Sequence, residues 1–265
     1  MTTTANTPEG IRVTVLGSGT CVPSLVRSSC AILMQVGEKQ LVFDAGPGTM
    51  RRLLEAGTDI YHIDYLLLSH FHPDHTAELV PLLFATKYPD DQRRRKRLTV
   101  VGGPGLKHFF ESLVAVYGHW IQLAQDKIDF LELEDRPGNG IDEAGFRITI
   151  APMVHNPESV AYRVETPSGA SAVYSGDTDY ADRLVALAHR AGLLICESAV
   201  PDEEKIPGHL TPALAGRIAS EAAVRQLMLT HFYPACDHVD IAAQCRRRYQ
   251  GPLLLAEDLM TVQVA

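Results

Sequence analysis

Short apolar runs rich in β-branched residues alternate with helical patterns along most of the chain. The first three runs, IRVTVLG (11–17), AILMQV (31–36) and QLVFDAG (40–46), have the length and composition of strands. PGTMRRLLEAG then predicts a helix that begins near Pro47 and ends at Gly57. We therefore expect the chain to open with successive strands before its first helix.

After that helix, strands and helices alternate, except for four consecutive strand candidates near the middle of the chain. Further strands are predicted for DYLLLS, LTVVGG, LLICES, LMLTHF and PLLLAED, and the consecutive candidates are IDFLELE, FRITIAPMVH, VAYRVETPSG and SAVYSGD. Helices are predicted for TAELVPLLFATKY, GLKHFFESLVAVYG, DYADRLVALAHRAG, TPALAGRIASEAA and VDIAAQCRRRY. This order predicts a mixed α/β layered protein with sheets inside and helices outside. Because no repeat or linker divides the chain, we expect residues 1–265 to form a single domain.

The composition is that of a soluble globular protein. Of the 265 residues 46% are hydrophobic and 21% are charged, and the net charge of −8 disfavours a surface that coats nucleic acid non-specifically. The N-terminal MTTTANTPEG does not resemble a signal peptide, and no apolar run approaches the roughly 20 residues that cross a bilayer. Five scattered cysteines without a CxxC pair are expected to be reduced, with Cys196 buried. We therefore expect a cytoplasmic protein without a membrane partner.

The run DDQRRRKR (90–97) is the strongest charge feature of the sequence. It joins a predicted helix to a predicted strand, so its simplest interpretation is a solvated surface loop. The alternative is that Arg93–Arg97 contact the phosphate backbone of a nucleic acid, which the acidic net charge makes less favourable.

The stretch LLLSHFHPDH (66–75) is an apolar run that stops at three histidines and an aspartate. Ionisable groups beside a core are costly unless they are solvated or compensated, so the stretch is either a solvated turn or a metal site. Three later apolar runs also end at an ionisable residue, namely His155, Asp177 and His231. Because strand ends meet at one rim of a layered α/β protein, this repetition favours the metal site.

The local spacing suits two metal ions. His70 and His72 are two residues apart, so an extended chain directs both to the same side. Pro73 then ends the strand, and Asp74 and His75 open the following helix, directed towards a second position. Nitrogen-rich coordination with one or two carboxylates suits Zn²⁺, and manganese or iron would also be held. Such a site activates water for attack on an ester.

HxHxDH at 70–75, followed by an isolated histidine, an aspartate in SGDT and a late histidine, resembles the metallo-β-lactamase superfamily of binuclear metal hydrolases. The resemblance extends from VLGSGT at residue 15 to LTHFYP at residue 234, with five motifs in the family's order. It implies an αββα sandwich, in which two mixed β-sheets pack face to face with helices outside.

The resemblance also implies the roles of the candidate site residues. One metal ion would be held by His70, His72 and His155, the other by Asp74, His75 and His231, and Asp177 would bridge the two. Asp44 in FDAGPGT resembles an aspartate that supports the ligands through hydrogen bonds.

Within the superfamily, LGSGTCVPSLVRSS, LTVVGGPGL and CES…GHLT resemble the ribonuclease Z-like phosphodiesterase branch. That resemblance implies that His209 lies over the scissile group and that Glu197 orients it. His209 would steady a phosphoryl oxygen or protonate the leaving oxygen, and Asp74 could accept the proton of the attacking water. Dimers are common in this branch, so a homodimer is an open expectation.

One departure from the branch narrows the expected substrate. Only 21 residues, 156–176, separate His155 from Asp177, too few for the long arm with which the tRNA-processing enzymes grip tRNA. A smaller diester, such as a cyclic nucleotide or a short nucleic acid, is therefore the expected substrate.

Two alternative functions stay open at this point. A lactone, β-lactam or aryl-sulfate ester hydrolase would share the fold and the metal ions, and only Glu197 and His209 favour phosphodiesters over these esters. A non-catalytic metal-binding protein is less favoured, because all seven ligand positions are filled.

Overall fold

The computed structural model describes residues 10–90, 93–136 and 139–265, and its strands form two sheets of seven. The first sheet contains, in spatial order, β14 (Thr261–Val264), β1 (Ile11–Gly17), β2 (Ala31–Val36), β3 (Lys39–Phe43), β4 (Tyr65–Leu67), β5 (Leu98–Gly102) and β6 (Ile128–Glu132). The second contains β13 (Leu253–Leu255), β12 (Leu227–Thr230), β11 (Leu193–Glu197), β10 (Ser171–Tyr174), β9 (Val160–Glu165), β8 (Phe146–Pro152) and β7 (Ile141–Glu143). Both sheets are mixed, since each contains parallel and antiparallel pairs.

Helices connect the strands on the outer faces of both sheets. The α-helices are α1 (Thr49–Glu55), α2 (Pro73–Thr76), α3 (Leu79–Lys87), α4 (Leu106–Tyr117), α5 (Asp182–Leu187), α6 (Pro212–Glu221) and α7 (Ile241–Arg246). Short 3₁₀ helices cover Gly118–Ile121, Asp202–Glu204 and Pro234–His238. None of the helices in the described ranges is long and apolar enough to span a bilayer.

The side chains of β3 alternate between two apolar clusters and show how the sheet and helix layers form. Leu41 and Phe43 face the apolar interior between the two sheets, where the Phe43 ring makes edge contacts with Tyr162 and Tyr174 of the second sheet. Val42 points the opposite way, into a separate apolar cluster that includes Leu53 of α1. Because strand side chains alternate between faces, each sheet buries both of its faces. The predicted αββα arrangement is confirmed.

Two strands have no counterpart in the predicted elements. β7 reads IDE and β14 reads TVQV, so neither contains a continuous apolar run. Both lie at the edge of a sheet, where one side of the strand needs no burial and polar residues are tolerated. An edge strand this short leaves almost no hydrophobic pattern in the sequence.

The helix that Asp74 and His75 were predicted to open, and that TAELVPLLFATKY continues, is interrupted at Ala77 and Glu78 and so forms α2 and α3. Pro81 explains the division, because a proline ring clashes with the carbonyl of the residue four positions earlier, here Ala77. The Glu78 N–H turns away from the helical pattern and donates to the carbonyl oxygen of Ala45 instead. The Ala45 contact ties this junction to the end of β3.

The basic run is only partly solvated. Arg94 is fully buried, and its guanidinium donates to the carbonyl oxygens of Ile60, at 2.6 Å, and of Ile63. The prediction of a solvated loop is therefore wrong for Arg94, because the buried carbonyl groups of the segment after α1 need donors that only a long side chain supplies. Residues 91–92 of this run and the N-terminal residues 1–9 lie outside the described ranges, and the single-domain organisation stays a prediction.

Removal of a buried side chain between the sheets should cost far more stability than removal of an exposed one. Leu41→Ala empties a fully buried position and should lower the free energy of unfolding by about 2–5 kcal/mol. Leu54→Ala on α1, where the side chain is 66% exposed, should change it by about 0.5 kcal/mol or less. Urea unfolding measures both, and equal losses would contradict the described core.

Candidate metal centre

The candidate site residues lie at one rim of the sandwich, beyond the carboxyl ends of strands from both sheets. They are Asp44 after β3, the HFHPDH segment after β4, His155 after β8, Asp177 after β10, Glu197 at the end of β11 and His231 after β12. β3 and β4 are parallel, as are β10, β11 and β12, so their carboxyl ends lie at a common edge. This topology brings together residues that are far apart in the sequence.

The seven predicted ligand residues form two groups of donor atoms. One group is His70, His72, His155 and Asp177, and the other is Asp74, His75 and His231; within each group the atoms lie within 4.8 Å of one another. A third, overlapping group consists of Asp177, His209 and His231. The other five histidines of the chain, all within the described ranges, belong to none of these groups.

The carboxylate of Asp177 lies between the two main groups. Its Oδ2 is 3.7 Å from His70 Nε2 and 4.0 Å from His155 Nε2. Its Oδ1 is 3.4 Å from the Nε2 atoms of both His75 and His231. One oxygen therefore faces each group, as a residue that bridges two cations must do.

The arrangement leaves buried polar atoms without hydrogen-bond partners. His70 Nε2 and Asp177 Oδ1 are buried and have no hydrogen bond within the described ranges. His75 Nε2 and His231 Nε2 face each other at 3.3 Å. Unsatisfied buried polar atoms are rare in proteins, so this cluster calls for a further partner. A cation at each group would supply it.

Hydrogen bonds on the far side of the rings decide which nitrogen faces the cluster. His75 Nδ1 donates to Asp44 Oδ2 at 2.7 Å, and His155 Nδ1 donates to the carbonyl oxygen of Gly208 at 2.9 Å. Ser69 Oγ gives its proton to Asp44, so it accepts from His70 Nδ1 at 3.0 Å. All three rings therefore direct Nε2 into the cluster, which is the arrangement that metal-binding histidines require.

The charges of the cluster also favour a cation. Burial acts to lower the pKa of His75, but the carboxylates of Asp177 and Asp44 raise it well above its usual value. Burial, together with the neighbouring His75, lowers the pKa of His70 to about 2, so that ring stays neutral. The carboxylates of Asp177 and Asp44 therefore make this position favourable for positive charge, which a divalent ion would supply in place of a second proton on His75.

Asp44 is the support beneath the HFHPDH segment. It is fully buried and accepts hydrogen bonds from the Ser69 N–H (2.7 Å), the Ser69 hydroxyl (2.8 Å), the Tyr174 hydroxyl (2.6 Å) and His75. The partners Ser69 and Tyr174 were missed by sequence reasoning. A buried tyrosine directly before SGD was the available signal, because its hydroxyl needs a polar partner.

His209 and Glu197 form a pair beside both groups. His209 Nδ1 lies 3.1 Å from Glu197 Oε1, and the His209 ring lies against those of His155 and His231. Glu197 also accepts from three backbone N–H groups, those of Thr178, Ala199 and Leu210. Burial acts to lower the pKa of His209, but Glu197 raises it above its usual value. Burial raises the pKa of the Glu197 carboxyl.

The expectation for the cysteines can be compared with the structure. All five cysteines are free and Cys196 is buried, as expected.

Comparison with known proteins assigns the family. The family described as Beta-lactamase superfamily domain matches residues 39–232. An uncharacterized protein of Mycobacterium leprae (strain TN) is 32% identical over 92% of this chain and 85% of its own length. A ribonuclease Z of Mycobacterium sp. (strain KMS) is 29% identical over 96% of both chains. The crystal structure of the metallo-beta-lactamase fold protein YhfI from Bacillus subtilis superposes with a TM-score of 0.82 at 24% identity, over 96% of this chain and 99% of that one.

These matches agree with the fold. The family implies divalent metal ions, and the two groups of histidine and aspartate donors are suited to hold them. The chain belongs to the metallo-β-lactamase superfamily, in its ribonuclease Z-like branch.

Proposed function

We propose that the protein is a dinuclear metal-dependent phosphodiesterase that acts on cyclic nucleotides or short nucleic-acid diesters. The observation that carries this proposal is the His209–Glu197 pair, held at 3.1 Å directly beside the two donor groups. The ribonuclease Z relative supports diester chemistry, since that name denotes an enzyme that cleaves nucleic acid.

The donor chemistry supports the proposed ligand sets. His70, His72 and His155 would hold one ion, Asp74, His75 and His231 the other, and Asp177 would bridge them. Nitrogen-rich sets with few carboxylates suit zinc, and manganese or iron would also be accepted. When bound, the two ions would act as Lewis acids on the phosphoryl group and on the attacking water.

Asp74 is the proposed acceptor for the proton of that water. Its side chain is 11% exposed, whereas the neighbouring His75 and His231 side chains are essentially closed to solvent. Burial acts to raise the pKa of the Asp74 carboxyl, but interactions with His231 and His75 lower it to about 2. The carboxylate is therefore ionised at neutral pH and able to accept a proton.

His209 is the proposed donor to the substrate. Its Nδ1 is engaged by Glu197 Oε1, so Nε2 is the nitrogen left to contact a phosphoryl or leaving oxygen. The raised pKa favours a positively charged ring, which stabilises negative charge on that oxygen and can protonate it. Glu197, held by three backbone N–H groups, keeps the ring in this orientation.

The short connection between His155 and Asp177 supports a small substrate. β9, β10 and the turn between them occupy residues 160–174 of it, and Thr166 and Ala170 close the turn through a backbone hydrogen bond. There is no room in this hairpin for an arm that grips a folded RNA. We therefore propose a small diester, a cytoplasmic location and, following the branch, a homodimer.

A lactone, β-lactam or aryl-sulfate ester hydrolase is the main alternative, and a non-catalytic metal-binding protein is a weaker one. The first would use the same donor groups but has no evident need for a buried Glu197 that orients His209. The second fits poorly with seven complete donor positions directed into one cluster.

Replacement of a proposed ligand should remove metal. His72→Ala and Asp74→Ala each delete a donor from one group, so the metal content should fall from about two ions per chain to about one or less. Mass spectrometry of dialysed protein measures the content. His62→Ala, which removes an exposed histidine paired with Asp59, is the matched control and should keep both ions. A His72→Ala or Asp74→Ala variant that kept two ions would contradict the proposed ligand sets.

Replacement of His209 should remove activity while metal stays bound. In hydrolysis of bis(4-nitrophenyl) phosphate, His209→Ala should lower kcat/KM by roughly 10²–10⁴-fold, because the donor to the reacting oxygens is lost. Glu197→Gln should also lower kcat/KM, since its oxygen can accept from Nδ1 but its NH2 group would then face the backbone N–H groups of Ala199 and Leu210. His189→Ala is an exposed histidine control that should retain parental activity. Parent protein with both metal ions and no diesterase activity would shift the assignment to lactones or sulfate esters.

A further inference from the structure

A recess of about 390 Å³ opens beside Asp74, and the proposed chemistry does not account for it. The loop between β1 and β2 contributes Val22, Pro23 and Ser24 to its lining, and the metal-centre side contributes Pro47, Pro73 and Asp74. We refer to it as the proline recess. Because it shares Asp74 with the donor cluster, a group bound in it is adjacent to the reacting diester.

The loop that forms the recess is held firmly at its base. Asp258, which precedes β14, accepts from the Ser18 N–H at 2.9 Å, the Ser18 hydroxyl at 2.8 Å and the Ser28 N–H at 2.7 Å. Arg52 of α1 pairs with the same carboxylate at 2.9 Å. These contacts fix the two ends of the loop and so reduce the entropy that the loop loses when a ligand binds against Val22, Pro23 and Ser24.

The lining combines flat apolar surfaces with hydroxyl donors. Ser24 Oγ accepts from the N–H groups of Val26 and Arg27, and Ser28 Oγ, which also lines the recess, accepts from Arg52 Nε. Neither hydroxyl has an acceptor for its own proton within the part of the chain that the structure describes. Each hydroxyl can therefore donate to a ligand.

The lining of the recess is poorly suited to bind a free anion. Arg27 is the cationic residue of its lining, but NH1 is bonded to Ser18 Oγ and the Ala256 carbonyl oxygen, and NH2 to Asp237. NH1 and NH2 are thus already engaged by protein acceptors, and the remaining donor, Nε, is buried without a partner within the described ranges. A neutral ring with acceptor atoms at its edge fits this lining better than a second phosphate.

We propose that the proline recess binds the nucleoside part of the substrate. A base would lie against the apolar rings of Pro23, Pro47 and Pro73, and its edge would accept hydrogen bonds from Ser24 and Ser28. The volume is at the lower end of the roughly 300–1,000 Å³ of small-ligand pockets, which suits one nucleoside better than a longer strand. This inference rests on the proposed phosphodiesterase function and names the substrate class of the same site.

The test compares two substrates that share one leaving group. Thymidine 5′-(4-nitrophenyl phosphate) carries a nucleoside, whereas methyl 4-nitrophenyl phosphate lacks it. For the metal-loaded parent, kcat/KM should be at least about tenfold higher for the thymidine ester. Ser24→Phe fills the recess and should reduce the ratio to about one, and Ser24→Ala, which removes one donor, should give an intermediate ratio.

Ser112→Phe is the matched control. Ser112 lines a second recess of about 350 Å³ near the stacked rings of Phe71 and Phe109, so this change adds the same bulk on another side of the metal centre. It should leave the substrate ratio as in the parent, and thermal unfolding should show that both phenylalanine variants are folded. Collapse of the ratio in Ser112→Phe instead of Ser24→Phe would overturn the inference, because the base would then bind in the second recess.

The two proposals fail in different ways. Turnover of both esters by the parent at equal kcat/KM would overturn the nucleoside recess and leave the phosphodiesterase intact. No turnover of either ester, with both metal ions bound, would overturn the phosphodiesterase and with it the inference that depends on it.

Discussion

The structure of the rim depends on one buried negative charge, the carboxylate of Asp44. With no exposure to solvent, it requires donors from the protein, and it obtains them from both sheets: Ser69 and His75 follow β4 of the first sheet, and Tyr174 ends β10 of the second. Satisfying this charge therefore joins the two layers and orients the HFHPDH segment in the same step. The contacts that join the two sheets at this rim are therefore the contacts that orient the proposed metal-binding segment.

Two of the five non-glycine residues with positive φ in the described ranges lie at the same rim. Asp44 and His231 both adopt left-handed conformations, with φ of 60° and 61°, each at the residue after a strand ends. Such conformations cost about 1–3 kcal/mol for residues other than glycine and persist only where the surroundings determine them. Here the sharp change of direction after β3 and β12 brings each side chain into the cluster instead of continuing along the sheet.

The sequence predicted the charged candidate residues, with Asp44 and Glu197 as supports, but not the uncharged side chains that hold Asp44 in turn. His70, His155, Asp177 and His231 stand where apolar runs stop, which a one-dimensional pattern reveals directly. Tyr174 bonds to Asp44 across 130 positions, and Ser18 to Asp258 across 240, so these contacts depend on how the two sheets and their edge strands are arranged in space. The prediction of a solvated loop failed at Arg94 for the same reason. Its guanidinium is buried because it donates to carbonyl groups of the segment after α1, which is distant in the sequence.

Asp258 anchors the β1–β2 loop but belongs to none of the donor groups, so loop anchoring and metal binding use different residues. The proposed metal ligands lie after β4, β8, β10 and β12, whereas the ends of the loop beside them are held by Asp258, a residue that precedes the edge strand β14. Changes near the carboxyl end of the chain can therefore reshape what is admitted to the centre without altering a single donor. Related enzymes could diversify their substrates through this edge of the fold while the hydrolytic machinery is inherited intact.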